Sequence, residues 1–398
     1  MDIALALLIV LAAGALGAQV AQRLRVPDIA VFLVTGVALG PAGLGWVAIP
    51  AQSAFNQGLL AFGASYLLFD GGTTLRLPVL KQVWITIAAL STAGVVITAA
   101  VTGFAAHALL ALPPAVALLL GCVIAPTDPA TLVPVFRQVK VRERVAQTVI
   151  SESACNDATG AILAFAVLGV AMLSQPFAPG YALAGLAYQA GAGLAAGVAL
   201  GYAVTFLVAR EWRFAAVAPA ATAAGVVATY LAAEAIHASG FMAVFAFGAM
   251  FGIRESLGLA LTPDVARTHE RVAHGITLVL RMVIFELLGA QVNVALVTAH
   301  LAAGAAVVAV FMLVARPLAV FLCAGADLRA MWSRNELLFM CWTRETGVIP
   351  AALAGLLLGM GAPGAEVIAA VTFIAIVATI LIQATTTRWV AGKLGLLA

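Results

Sequence analysis

Charge is what this sequence has least of. Asp, Glu, Lys and Arg make up 9% of its 398 residues, where a soluble globular chain carries about a quarter. Hydrophobic residues account for 64%. A soluble domain could not bury that much apolar surface, so lipid is the expected solvent. The formal net charge of +3 is scattered along the chain, which argues against nucleic-acid binding. Cysteine is scarce too. Cys122, Cys155, Cys323 and Cys341 sit inside apolar runs without a CxxC pair, so a zinc site or disulfide framework is unsupported and buried thiols are expected. No basic segment precedes the first apolar run, which therefore reads as a retained helix and not a cleaved leader. Long polar stretches are missing, and with them any room for catalysis on a large soluble substrate.

What is present is a series of about thirteen apolar runs long enough, or nearly so, to cross the hydrocarbon core. Their limits are near 3–20, 28–43, 57–74, 83–108, 114–136, 147–173, 181–208, 215–235, 239–253, 272–291, 295–322, 335–359 and 364–390. The basic residues give a separate test of this division. Arg23 and Arg25, Arg76 and Lys81, the group Arg137, Lys140, Arg142 and Arg144, then Arg210 and Arg213, Arg254, Arg267 and Arg271, Arg316, Arg329 and Arg334, and finally Arg388 and Lys393 all fall at alternate connections. The other connections (41–56, 109–114, 174–181, 236–240, 292–300 and 360–364) contain neither Lys nor Arg. The positive-inside rule then predicts a multi-pass protein of the cell inner membrane, N-terminus outside and C-terminus cytoplasmic. Arg281 and Arg344 escape the alternation, because both lie within apolar runs.

The two halves echo each other. Run three ends in LLFDGG (67–72) and run ten carries VIFELLG (283–289). Run five is interrupted by APTDPAT (125–131) and run twelve by TRETGVIP (343–350). With run seven as a linker, runs one to six and eight to thirteen match in opposite orientation, as in the inverted repeats of secondary transporters.

Ionisable residues at membrane depth are costly and point to function. Asp70, Asp128, Glu152, Asp157, Glu286, Arg344 and Glu345 all lie in apolar runs. In Thr127-Asp128-Pro129 the proline removes a backbone donor and disfavours helix at Asp128. The chain is therefore expected to unwind there, freeing carbonyls beside the Thr127 hydroxyl and the Asp128 carboxylate. These hard oxygen donors suit a small alkali cation; capping of the second half-helix by Asp128 is the plainer alternative. In the next run, Ser151-Glu152-Ser153-Ala154-Cys155-Asn156-Asp157 places Ser153 and Asp157 on one helix face, with Asn156 one turn from Glu152 and Ser153. A carboxylate there can hold a cation when ionised and a proton when neutral. Glu152 and Arg344 are the expected buried ion pair, structural in role, with Glu345 as a competing partner for Arg344. Asp70 either lines the approach to the site or caps a helix end. His237, His269, His274 and His300 read as loop or edge residues.

APTDPAT followed by SESACNDATG (151–160) resembles the monovalent cation:proton antiporter superfamily in its NhaP-like sodium/proton exchanger branch. VTGVALGPAGLG (34–45), LLFDGG, HASGFMAVFAFG (237–248) and the arginine of WTRETGVIPAALA (342–354) agree with other motifs of that family. The resemblance covers nearly the whole chain. It implies an all-α membrane fold of about thirteen helices, an inverted repeat of six-helix units with two crossed, unwound helices, in a homodimer. Dimerisation-domain helices one to three plus the first core helix would occupy 1–110, core helices five and six 111–173, a linker helix 174–213, the second dimerisation-domain half 214–293, and core helices eleven to thirteen 294–398. It implies Asp157 as the central ion- and proton-binding carboxylate. Asp128, Thr127 and Ser153 would assist it, Asp70 would stand nearby, and Glu152 with Arg344 would form the structural pair. Asn156 before Asp157 marks electroneutral exchange in that family. Two features depart from its usual pattern: Asp70 stands where many members have glutamate, and the arginine motif reads TRETG, with Glu345 as an extra acid.

The function expected is secondary antiport of Na+, or of Li+ or K+, against H+ by an elevator-type movement, with no cofactor. An intramembrane aspartyl protease would need a GxGD pattern, which is absent near Asp128 and Asp157. A passive channel leaves the interrupted helices unexplained and lacks a filter-like loop.

Overall fold

A computed structural model describes residues 3–24, 27–75, 77–127, 141–173, 179–210 and 217–397. Among these residues all the regular structure is helical, apart from one isolated β-bridge between Val141 and Leu397. The first four helices are α1 (Ile3–Leu24), α2 (Asp28–Leu39), α3 (Ala54–Thr73) and α4, which joins Leu77–Ala89 and Val95–Leu110 through a π-helical turn at Leu90–Gly94. Next come α5 (Pro114–Ile124), α6 (Glu143–Leu173), α7 (Pro179–Arg210), α8 (Ala218–Ala235), α9 (Gly240–Gly252) and α10 (Pro263–Gln291). After a short helix at Val294–Ala299, α11 joins Leu301–Val310 and Arg316–Cys323 through a second π-helical turn, Phe311–Ala315. The twelfth run is two half-helices, α12a (Arg334–Trp342) and α12b (Val348–Met360). The last, α13, joins Ala365–Ala378 and Thr385–Lys393 through a π-helical turn at Thr379–Ala384.

Each expected run coincides with a helix or with half-helices among the described residues, and the second part of run five, 128–136, lies outside them. Seven helices there are long and apolar enough to cross a membrane, and four shorter apolar ones, α2, α5, α9 and α12b, accompany them. Local chemistry sets the ends. Ser53 and Ser239 accept hydrogen bonds from Asn56 N and Met242 N to start α3 and α9. Ser333 and Glu336 form a reciprocal capping box at the start of α12a. Pro114 and Pro263 occupy first-turn positions where no backbone donor is needed. Gly361 closes α12b with φ of 64°, a left-handed conformation that glycine adopts without strain.

With apolar lipid around them, the helices depend on close packing for association. A Cβ on Gly248 of α9 would lie 2.0 Å from the Phe69 carbonyl oxygen of α3. One on Gly36 of α2 would lie 2.2 Å from the Glu286 carbonyl oxygen of α10, and one on Gly121 of α5 would lie 2.2 Å from that of Ala99 in α4. These contacts gather α2, α3, α9 and α10 on one side and α4 with α5 on the other. The two π-helical turns of α4 and α11 pack into this second group and stand at matching positions of the proposed repeat. Outward-facing Leu8, Leu16, Phe104 and Leu322 supply the apolar exterior that lipid requires.

Candidate ion-binding site

The site begins where α5 stops. Eleven residues rise about 17 Å at 1.5 Å each, roughly half of a bilayer core of about 30 Å, and the helix ends at Ile124. Ala125, Pro126 and Thr127 continue without helical structure. Asp128, the acid of the TDP segment, lies outside the described residues, as does the rest of that break.

Thr127 is received by α6. Its backbone N–H donates to Asn156 Oδ1 at 3.0 Å, and Asn156 Nδ2 donates to Thr127 Oγ1 at 2.8 Å. The Thr127 hydroxyl also makes a short contact with Ser153 Oγ. All three side chains are buried, and so is Asp157, which is 8% exposed. One turn further, Gly160 leaves room for the unwound chain: a Cβ there would lie 2.2 Å from Pro126 Cγ. Positions 153, 156, 157 and 160 thus form one helical stripe, which carries hydroxyl, amide and carboxylate and then offers a gap for a proline.

The second break faces the first. Arg344, in the non-helical stretch between α12a and α12b, donates from Nη2 to the Ala125 carbonyl at the end of α5. Its guanidinium lies 4.5 Å over the Phe311 ring, in the π-helical turn of α11, and Nη1 is 3.5 Å from Thr98 Oγ1 of α4. The buried Thr346 N–H in the same break donates to Thr379 Oγ1, 3.1 Å away in the π-helical turn of α13. The freed backbone of one broken helix is therefore satisfied by side chains of its neighbours, which is the condition for unwound chain at membrane depth.

The expected pair of Glu152 with Arg344 is corrected by the structure. Glu152 is held by Arg316, with Nη1 to Oε1 at 2.5 Å and Nη2 to Oε2 at 2.8 Å. Both residues are 2% exposed or less, and Arg316 Nε also donates to the Met340 carbonyl at 2.9 Å. A fork of parallel bonds suits a carboxylate better than one guanidinium shared across a helix break. The basic-residue alternation groups Arg316 with the cytoplasmic connection, yet seven more helical residues of α11 follow before Ala324 in that same apolar run. That continuation was the signal to find it.

Asp70 is not a helix cap. The helix α3 runs on to Thr73, and Asp70 accepts from Thr277 Oγ1 of α10 at 3.2 Å. Its neighbour Gly71 faces Ala154 of α6, so Asp70 lies where α3, α6 and α10 converge. Among the histidines, His269 is not an edge residue. It is buried, 3.0 Å from Thr222 Oγ1 and against the Phe251 ring. All four cysteines are free; Cys122, Cys323 and Cys341 are buried and Cys155 half-buried.

Comparison with known proteins agrees with this fold. The profile of the family described as sodium/hydrogen exchanger, transmembrane, matches residues 6–393. Na(+)/H(+) antiporter 1 of Methanocaldococcus jannaschii is 30% identical over 352 residues, covering 86% of this chain and 80% of its own. The K(+)/H(+) antiporter NhaP of Alkalimonas amylolytica is 29% identical over 368 residues. That match takes in 92% of this chain, which spans 62% of that relative's length. The structure of the sodium proton antiporter MjNhaP1 from M. jannaschii at pH 8 superposes with a TM-score of 0.86 at 29% identity, covering 98% of this chain and 97% of its own. A helical membrane fold with two facing helix breaks and a match from residue 6 to residue 393 lead to one assignment: the chain belongs to the sodium/hydrogen exchanger family.

Proposed function

We propose that the protein exchanges a monovalent cation, Na+ first and Li+ or K+ as alternatives, for H+ at Asp157, one for one. The observation that carries this is the meeting of Thr127, Ser153 and Asn156 at the end of α5, on the helix face that bears buried Asp157. Oxygen ligands and an ionisable carboxylate are what a dehydrated alkali cation needs, and the same carboxylate can take a proton instead. Asp128, from the sequence, would add a second carboxylate. Asp70 would stand at the approach and touch the ion less directly, since Thr277 holds it.

The coupling follows from electrostatics. An empty Asp157 carries a charge whose passage through the apolar barrier is costly. Bound cation or bound proton neutralises it, so the site moves only when loaded. Asn156 contributes no charge, so the loaded site has the same charge with either substrate and exchange is electroneutral. In the elevator movement we envisage, α4–α6 and α11–α13 carry the site past α1–α3 and α8–α10, with α7 as linker. The latter group would form the homodimer contact in the cell inner membrane, N-terminus outside. The pairing of the NhaP-like relatives with Na+ or K+ and H+ in their names supports the substrate class.

The test is cation-driven proton flux in proteoliposomes, reported by a pH-sensitive dye, with each alkali cation in turn and across a pH series. Apparent cation affinity should weaken as pH falls, by up to about tenfold per unit once the site is protonated, because each proton must leave before a cation binds. Clamping the membrane potential with valinomycin should leave the flux unchanged. A pH-independent affinity would remove the competition, and a flux scaling with voltage would remove electroneutrality.

A further inference from the structure

Outside the ion site, one ionisable group has no evident use. Glu286 of α10 is 1% exposed, and neither carboxylate oxygen has a hydrogen-bond partner among the described residues. Its side chain reaches across the helix interface to α1, where a Cβ added to Gly14 would lie 2.9 Å from Glu286 Oε1. On the backbone side, α2 closes in at Gly36. Asp70, at the matching place in the other half of the repeat, has Thr277 to donate to it; Glu286 has nothing comparable.

Among the described residues no charge compensates it. Of the elements packed on α10, α1 offers Arg23, in its last turn. The others are α2 with Asp28, already paired to Arg281, α3 with Tyr66 and Asp70, α8 with Tyr230 and Glu234, and the Ala365–Ala378 segment of α13 with Glu366. The half-helix α12b carries no titratable residue. On α10 itself, His274 lies three turns away, and Arg281 faces Asp28. None of these groups hydrogen-bonds or ion-pairs with the Glu286 carboxyl. A bare carboxylate in such a place is among the most costly groups a membrane protein can hold. Among the described residues no basic side chain pairs with it, and no cluster of acidic or metal-ligating side chains gathers there to hold a metal ion. A proton is the remaining ligand.

We propose that Glu286 is a second proton-binding site, outside the ion pathway, that holds its proton in the folded protein and makes the tightness of the α1–α2–α10 seam depend on pH. When neutral, the acid packs against Gly14. When it ionises, it draws water into the seam or pushes α1 away. A proton held by the folded chain and released by the unfolded one ties stability to pH. Stability from this group is therefore greatest in acid and is lost as pH rises.

Dicyclohexylcarbodiimide tests this on the wild-type protein in liposomes, so no variant needs to fold. The reagent adds a protonated carboxyl O–H across its C=N bond, and acyl transfer from oxygen to nitrogen leaves a stable N-acylurea on the glutamate. Leu8, Leu11 and Leu16 of α1 are exposed in the protomer, so a small lipid-soluble reagent has a route to the seam along that helix. Peptide mass spectrometry should find Glu286 labelled at neutral pH and the label falling severalfold in alkali. In parallel, the fall of melting temperature with rising pH should be flatter in Glu286→Gln than in wild type. An unlabelled Glu286 at neutral pH, in a sample whose Asp157 peptide is labelled, would overturn the proposal. Parallel pH slopes for the two proteins would overturn the link to stability.

Discussion

Glu152 offers a choice between two arginines, and the energies separate them. In the structure Arg316 takes both carboxylate oxygens and is 1% exposed itself. Removing either member leaves a buried charge without its partner, at about 3–5 kcal/mol. Arg316→Met should therefore destabilise by about 3 kcal/mol or more. Glu152→Gln should cost a similar amount, softened because Arg316 keeps its bond to the Met340 carbonyl. The double variant loses the pair but strands no charge, so its cost should fall well short of the sum. The expected coupling is about 2–3 kcal/mol, at the upper end for residues in contact. Arg344→Met combined with Glu152→Gln should show coupling under about 1 kcal/mol, because Arg344 is spent on Ala125 and Phe311. Reversible unfolding in mixed detergent–SDS micelles, followed by tryptophan fluorescence, gives these numbers. A coupling of Glu152 to Arg344 larger than its coupling to Arg316 would refute the assignment.

Other consequences follow from the same geometry. Gly160→Ala should suppress exchange by tenfold or more while the protein still folds, because the added methyl meets Pro126 and displaces the Thr127 turn; flux and melting temperature measured together check this. Thr127→Val removes the hydroxyl shared by Ser153 and Asn156, so apparent cation affinity in the dye assay should weaken severalfold. Asp157→Asn should abolish exchange yet melt no lower than wild type, since it removes a buried charge. An engineered cysteine in 174–180 should label from outside and one in 138–144 from inside, as the basic-residue alternation requires; the reverse pattern would overturn the topology and the inverted repeat with it.

Much of the fold was legible because lipid leaves few options. Every spanning segment must satisfy its own backbone, so long apolar runs become helices, and their number and limits follow from composition. The breaks were legible from proline and glycine amid apolar sequence, and the Ser153–Asn156–Asp157 face from helical spacing alone. Partner choice was not legible. Nothing local to Arg344 says that its guanidinium points to Ala125 of another helix, nor that Thr346 finds Thr379 in a π-helical turn. Those contacts depend on how separate helices cross. Arg316 is hidden in the sequence for a different reason. A charge near the end of an apolar run looks like a boundary, and only the residues after it show that the helix continues. Gly160 closes the SESACNDATG motif, but its use depends on the position of Pro126, which sequence spacing does not give.

The two arginines do related work, and this explains why a site so poor in charge needs them. A helix that stops at mid-membrane leaves carbonyls without partners and concentrates the negative end of its dipole there. Two such ends arise in this fold, at Ala125 after α5 and near Met340 in the last turn of α12a. Arg344 donates to the first and Arg316 to the second. Each guanidinium thus comes from another element and ties a broken helix to its neighbour: Arg344 from the α12 break to α5, and Arg316 from α11 to α12a. Arg316 then has a second face to satisfy, and Glu152 of α6 fills it. This places Glu152 one residue before Ser153 and one turn before Asn156, so the ion pair fixes the rotation of α6 about its axis. With that rotation fixed, Ser153 and Asn156 meet Thr127, and Gly160 meets Pro126. The charges committed to structure are thereby neutralised against one another or against helix ends. A change of charge at Asp157, under the proposed mechanism, is then free to report cation and proton alone.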